Sequence, residues 1–244
     1  MNALVAAELL KLVTLRGLRW LAGVAVLLCG IVGAVVAGIT AGDGEVVSVA
    51  ELARTPLQQA WFAVVVIAVL ASAGEFQHRT ILTTLLAVPK RGRVLLAKTV
   101  SAAVAGSIVV TAAVVAAATA GLVTAVASGA DLTGGHAVDV ARVVAGIALG
   151  GVWAVVATGL GVLTGSTALS LVVLLVWRFV GEGLVPVVLR DPGAYAWTPS
   201  GAGDALVGIG GPLLPVAGAA ALLALYLVAL CGVAAALFVR RDPA

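Results

Sequence analysis

The chain has 244 residues, of which 62% are hydrophobic and only 10% are charged, and its formal net charge is +3. Soluble domains carry about 25% charged residues, and their cores do not need this much apolar sequence. Together with a mean hydropathy of +1.21, this composition excludes an ordinary soluble enzyme and indicates an integral membrane protein with one membrane domain over residues 1–244.

The N-terminal segment predicts a helix on the membrane surface. Glu8, Lys11, Arg16 and Arg19 fall within one arc of about 140° on a helical projection, with apolar residues on the other side. We therefore expect an amphipathic interfacial helix over about residues 3–20 that leads into the first span, with an extended polar leader as the alternative. The apolar run that follows is longer than a cleaved signal peptide needs, so we expect an uncleaved first helix.

The uncharged runs of the sequence predict six membrane spans. A helix needs about 20 apolar residues to cross a bilayer. The run 143–177 is long enough for two helices that meet at a turn over Gly165 to Ala168, because Gly and Ser interrupt helices. The expected spans are about 21–40, 56–74, 99–122, 143–164, 168–189 and 213–239. The fold class is therefore an all-α integral membrane protein with six transmembrane helices.

The distribution of Lys and Arg predicts the orientation. Six spans place both termini on one side of the membrane, together with the loop 75–98 and the turn at residue 165. Ten of the fourteen basic residues lie on that side, whereas the other side carries three basic and seven acidic residues. Because cytoplasmic loops carry the excess of Lys and Arg, we expect a multi-pass protein of the cytoplasmic membrane with both termini in the cytoplasm. The positive net charge then reflects topology and predicts no nucleic-acid partner.

Catalytic and metal-binding motifs are absent from the sequence. No lysine follows a glycine, so there is no Walker A loop, and neither HExxH nor GxSxG occurs. His78 and His136 are expected in loops on opposite faces, and Cys29 and Cys231 lie within spans without metal-ligand spacing. We expect no catalytic residue, no metal site, no cofactor bound by this chain and no enzymatic activity of its own.

The loop between the second and third spans carries the most informative pattern. Its stretch "RTILTTLLAV" predicts a helix of about ten residues that ends at Pro89 and is followed by the basic turn "PKRGR". Ile81, Leu82, Leu85 and Leu86 have the spacing of an apolar helix face. Such a short amphipathic helix, lying parallel to the membrane, can dock into a groove on a cytoplasmic partner.

This loop resembles the first cytoplasmic loop of ABC-2 type permeases, the membrane subunits of one class of ABC exporter. The matching residues, in order, are Glu75, Phe76, Thr80, Ile81, Pro89, Lys90, Arg91, Arg93, Ala97 and Lys98. The chain departs from the family pattern at Arg79, where a glycine usually precedes Thr-Ile. The segment "WTPSGAGDALVG" (197–208) is similar to the Pro-Ser segment before the family's last helix, and the closing "RRDPA" resembles the family's usual end.

The resemblance implies the permease subunit of an ATP-driven ABC exporter that moves a substrate across the cytoplasmic membrane. A second permease subunit, identical or different, would complete the pathway, and two copies of a separate ATP-binding subunit would hold ATP and Mg²⁺. The residues implied to couple the chain to that ATPase are Glu75, Phe76, Gln77, His78, Arg79, Thr80, Ile81, Thr83 and Thr84. The alternatives are an ATP-independent six-helix transporter or channel and a membrane assembly factor without transport activity.

The fifth predicted span contains two charges, Arg178 and Glu182, near the middle of the membrane. Each costs about 2.5–3.5 kcal/mol on insertion scales, and their i, i+4 spacing places both on one helix face. They either line the transport pathway or form a structural pair packed against the first or second helix or at a dimer interface. In both cases we expect them to face protein rather than lipid.

Overall fold

The computed structural model of the chain describes residues 1–78, 80–88, 90–134, 136–210 and 214–240. The α-helices over these ranges are α1 (Asn2–Thr14), α2 (Arg16–Gly42), α3 (Val49–Arg54), α4 (Leu57–Gln77), α5 (Ile81–Ala87), α6 (Arg91–Ala127), α7 (Ala137–Thr164), α8 (Thr167–Val176), α9 (Glu182–Leu189), α10 (Pro199–Val207) and α11 (Val216–Arg240). Two short strands, β1 (Val47–Ser48) and β2 (Leu132–Thr133), pair in parallel. The fold is a helical bundle in which this pair only joins two loops.

Six helical segments of the described chain are long and apolar enough to cross a membrane, which confirms the predicted multi-pass, all-α class. They cover Arg16–Gly42, Val49–Gln77, Arg91–Ala127, Ala137–Thr164, Thr167–Leu189 and Val216–Phe238. Each contains most of one predicted span, although α6 begins eight residues earlier than the span at 99–122. The predicted start of the last span at Leu213 lies outside the described residues.

The turn predicted between the fourth and fifth spans is present. Gly165 ends α7 with a φ of 64°, a left-handed conformation that glycine adopts without a Cβ clash. Ser166 then caps α8 by accepting a hydrogen bond from the backbone N–H of Leu169. The long apolar run is therefore divided into two helices, as predicted.

The N-terminal helix differs from the prediction in its extent. The chain is extended at Leu15, so α1 ends at Thr14 and α2 begins at Arg16. Arg16 and Arg19 consequently belong to the first long helix instead of the predicted helix over 3–20. The charged side of α1 faces the protein, because Glu8 is buried, whereas Leu10 is 63% exposed. Ion pairs described below cause this orientation, which a helical projection cannot reveal.

Small residues allow the long helices to pack closely in the middle of the bundle. A Cβ on Gly106 of α6 would lie 2.6 Å from the carbonyl oxygen of Gly150 and 2.8 Å from Cβ of Ala154, both on α7. Gly33 of α2 similarly lies against the backbone of Ala117 on α6. Close backbone approach at such positions is the main packing device of membrane helices.

The bundle has two ends that differ in charge. At the end that we call the basic end, α1, α5 and the turn at 165–166 meet, and the Thr167 hydroxyl donates to the Gln77 side chain. At the opposite, acidic end lie α3, the strand pair and the segment 190–208, and Arg54 donates to the carbonyl of Gly208. The two ends carry the two candidate sites.

The fifth long helix is not regular along its length. Between α8 and α9, residues Trp177–Gly181 form one π-helical turn, a feature that is common at functional sites. The helix ends at Leu189, three residues after Pro186. A 3₁₀ helix (Pro192–Trp197) and α10 then follow at the acidic end.

Candidate functional site

The connection between α4 and α6 contains the expected short helix, α5. It has seven residues rather than about ten. Arg79, the first residue of the predicted helix, and Pro89, which was predicted to end it, lie outside the described residues. Ile81 is buried in a cluster with Val94 of α6, Val162 of α7 and Phe238 of α11. This side chain therefore anchors α5 to three of the long helices.

The other side of α5 is open to the surroundings. Leu86 is 85% exposed, and Thr80 and Thr83 are also exposed. Leu86 lies outside the six long apolar segments. An anchored helix that displays an apolar side chain is suited to contact another protein.

Four charged side chains form a network beneath α5, which we call the basic-end network. Lys98 Nζ lies 2.9 Å from Glu8 Oε2 and 2.7 Å from Glu75 Oε1. Lys11 Nζ lies 2.8 Å from Glu8 Oε1 and 3.3 Å from Glu75 Oε1. Lys11 Nζ also lies 3.4 Å from Thr84 Oγ1. The network therefore connects α1, α4, α5 and α6.

The charges of the basic-end network compensate one another. Burial alone would raise the pKa of Glu8, but the charge of Lys98 and hydrogen bonds from Lys11 and Lys98 outweigh it and lower that pKa. Burial would lower the pKa of Lys11, but its hydrogen bond to Glu8 and the charge of Glu75 raise it. Glu8 and Lys11 can therefore stay ionised beside Lys98, whose side chain is only 5% exposed.

The remaining predicted coupling residues lie around this network. Phe76 packs edge-on against Phe238, with ring centroids 6.1 Å apart. Gln77 binds the first residue of α8, and the His78 side chain is exposed. Sequence reasoning missed the pairing of Glu8 with Lys98, although one available signal was a lone lysine directly before a long apolar run.

At the acidic end, Arg178 and Glu182 lie together, as their spacing predicts. Arg178 Nη1 is 3.4 Å from Glu182 Oε2, and the backbone N–H of Ser200 donates to Glu182 Oε1 at 3.1 Å. Glu182 is fully buried, so it faces protein as expected. Its backbone donor comes from the start of α10 rather than from the first or second helix.

A second carboxyl group lies beside this pair and was not predicted as a site residue. Asp204 is buried, and its Oδ2 accepts a hydrogen bond of 2.7 Å from the Tyr195 hydroxyl. Asp204 belongs to the segment 197–208 that carries the second family match, which was the available signal. We call Arg178, Glu182, Tyr195, Ser200 and Asp204 the acidic-end cluster.

A cavity of about 170 Å³ lies between α4 and the fifth long helix. Its lining includes Gln58, Trp61, Phe62, Trp153, Arg178 and Phe179. The rings of Phe62 and Phe179 stack with centroids 5.2 Å apart. Arg178 therefore faces an aromatic cavity on one side and Glu182 on the other.

Comparison of the chain with protein-family models and with curated proteins finds no match. Among the described residues, no group of three His, Cys, Asp or Glu side chains is arranged to hold a metal ion. The functional conclusion therefore depends on the geometry of the two ends and on the resemblance of the loop and the segment 197–208.

Proposed function

We propose that this protein is the permease subunit of an ATP-driven ABC exporter of the ABC-2 type. The observation that carries the proposal is α5: a short helix, anchored by Ile81, that displays Leu86 at the end of the bundle richest in Lys and Arg. That is the feature expected of a coupling helix that receives a cytoplasmic ATPase subunit. The stretch "GEFQHRTIL" at residues 74–82 resembles the first cytoplasmic loop of ABC-2 type permeases, and this resemblance supports the choice of family.

In this proposal, movement of the ATPase subunits acts on α5 and is transmitted by two routes. Ile81 passes displacement to α6, α7 and α11, while the basic-end network passes it to α1 and α4. ATP binding changes the balance between two states of the membrane domain only if it stabilises one of them more than the other. Contacts that join α5 to several helices favour such a concerted transition.

The proposed orientation places the basic end in the cytoplasm of the cell, with both termini there, because Lys and Arg concentrate on that side. Two permease subunits, identical or different, would enclose the pathway, and two ATP-binding subunits would hold ATP and Mg²⁺. Of the charged pair in the fifth span, Arg178 faces the aromatic cavity and Glu182 is fully buried. Arg178 is therefore the member available to a substrate.

Site-directed crosslinking to the ATP-binding subunit that the proposal requires tests the proposal. A cysteine at Thr83, on the exposed side of α5, should crosslink to the ATPase, whereas a cysteine at Asp43, exposed at the acidic end, should not. Crosslinking from Asp43 but not from Thr83 would contradict the proposed orientation.

A substitution tests whether the exposed apolar residue of α5 contributes to this contact. Leu86→Asp should reduce recovery of the ATPase with the permease at least tenfold, because it places a charge in an apolar contact. Val46→Asp, at an exposed apolar position of the acidic end, is the matched control and should have no effect. Equal recovery of the ATPase with both variants would mean that Leu86 does not contribute to the contact.

A further inference from the structure

The acidic-end cluster buries more negative than positive charge. Arg178 supplies its guanidinium, and Glu182 and Asp204 supply two carboxyl groups that interact with it. Tyr195 and Ser200 are uncharged members. With both carboxyl groups ionised, the cluster would hold a net charge of −1 away from water, which is costly unless a proton or a cation neutralises it.

The contacts distinguish the two carboxyl groups. Glu182 accepts hydrogen bonds from Arg178 and from the backbone N–H of Ser200 at the first turn of α10, where the helix dipole also favours a negative charge. Asp204 has neither kind of partner. Its Oδ2 accepts from the Tyr195 hydroxyl, while its Oδ1 is buried and makes no hydrogen bond within the described chain. The amide of Gln58 lies beside this carboxyl without a well-formed bond to Oδ1.

We propose that Asp204 is a proton-binding site: it carries a proton on Oδ1 at neutral pH, while Glu182 stays ionised against Arg178. The charge of the cluster is then balanced, and the neutral carboxyl can donate to the side-chain carbonyl of Gln58 once that amide is turned. The assignment concerns the acidic end alone and stands independently of the proposed transport function.

The surroundings of Asp204 support a proton as the occupant. Burial raises the pKa of Asp204, and the hydrogen bond from Tyr195 and the charge of Arg178 oppose that rise without cancelling it. Burial and the contact with Asp204 raise the pKa of Tyr195, so its hydroxyl keeps its own proton and donates. The groups that face Asp204 are Gln58 from α4, Arg178 and Glu182 from the fifth long helix, and Tyr195 from the 3₁₀ helix.

Binding of this proton makes the stability of the acidic end depend on pH. Because the folded protein binds this proton more tightly than an unfolded chain does, its contribution to stability is lost as the pH rises through the folded pKa. Water reaching Asp204, through movement of α10 away from α9, would lower that pKa and release the proton. The acidic end should therefore open more readily in alkaline than in acidic surroundings.

Infrared spectroscopy of the full chain in lipid nanodiscs tests the proposal through the C=O stretch of protonated carboxyl groups. The wild-type chain should show this band at neutral pH, and Asp204→Asn should remove it. Glu182→Gln should also remove it, because Arg178 is then free to neutralise an ionised Asp204. Arg178→Gln should enlarge the band, because no guanidinium then remains to stabilise the ionised form of either carboxyl group. Asp43→Asn, at an exposed position, is the matched control and should leave the band unchanged.

Any of three results would overturn the assignment. The first is a wild-type chain without the band at neutral pH, and the second is a band that persists in both Asp204→Asn and Glu182→Gln. The third is a band that appears only when sodium is replaced by a bulky organic cation, which would make the occupant a metal cation. If Asp204→Asn does not fold, the opposite effects of Glu182→Gln and Arg178→Gln on the band still decide whether a carboxyl group of the cluster carries a proton.

Discussion

The charged side chains of the basic-end network are individually expensive to bury and collectively balanced. Removing an ammonium or carboxylate from water costs several kcal/mol, and attraction repays this only when the partners are well placed. Each lysine of the network has two carboxylate partners, Glu8 and Glu75. Loss of one member should therefore leave the remaining members with a net charge that no partner in the network compensates.

Substitution of Lys98 should be the most damaging single change in the basic-end network. Lys98→Met leaves Glu8 and Glu75 with Lys11 as their remaining ammonium partner in the network, and breaking a buried pair typically costs about 3–5 kcal/mol. Thermal unfolding in detergent should show a large loss of stability. Lys90→Met, at an exposed position beside the same helix, is the control. Similar melting of both variants would mean that the network does not stabilise the fold.

Acid should weaken the basic-end network through Glu8. The pKa of Glu8 in the folded protein lies below its ordinary value of 4.5. The charged form therefore contributes stability above pH 4.5, and this contribution is lost as the pH falls through the folded pKa. The wild-type chain should lose more thermal stability below pH 4.5 than Glu8→Gln does. Glu45→Gln, exposed at the acidic end, should melt with the pH profile of the wild type.

Individual pairs could be predicted only where both partners lie close in the sequence. Arg178 and Glu182 are four residues apart on one helix, and their contact was predicted and is present. Glu8 and Lys98 are 90 residues apart, and Tyr195 and Asp204 meet through two short helices that sequence reasoning did not resolve. Partners brought together by the packing of separate helices leave no periodic signal in one sequence.

At the scale of the helices, close packing depends on positions that admit no side chain. α6 contacts α7 at Gly106, where the backbone of Gly150 and Cβ of Ala154 occupy the space that a methyl group would need. Because apolar residues gain little by leaving lipid for protein, such close contacts supply much of the association between membrane helices.

Alanine substitutions of two glycines should affect stability differently. Gly106→Ala forces α6 and α7 apart and should destabilise the bundle by about 1–3 kcal/mol, as overpacking usually does. Gly23→Ala, in α2, meets no atom within 4 Å and should be neutral or stabilising by up to about 1 kcal/mol, because alanine favours the helix. Both can be measured by thermal unfolding in detergent, and a Gly106→Ala chain as stable as the wild type would contradict the packing.

Long apolar elements were predicted well, and short polar ones less well. Length and hydropathy predict the six long helices and the turn at Gly165, because both follow from the thickness of the bilayer and from glycine geometry. The division at Leu15 and the seven-residue length of α5 depend on contacts with α6. Such contacts are not visible in local sequence patterns.

At the scale of the whole molecule, the two ends of the bundle should lie on opposite sides of the membrane. In intact cells, a membrane-impermeant maleimide should label a cysteine at Asp43 and not one at Thr83, because the basic end is expected inside. Disrupted cells should label both. The background chain should carry Cys231→Ala, whereas Cys29 is buried and can stay. Labelling of a cysteine at Thr83 in intact cells would mean that the basic end lies outside the cell.

The contact between Glu182 and Ser200 also has a consequence for biosynthesis. The chain is made from its N-terminus, so the fifth long helix reaches the insertion machinery before the residue that donates to Glu182, eighteen positions later, has followed it. Until then Arg178 is the partner within reach, and each charge adds about 2.5–3.5 kcal/mol to the cost of entering lipid. We expect this helix to wait at the translocon and to move into the bilayer together with the segment that follows it, so that residues 167–207 enter as one unit.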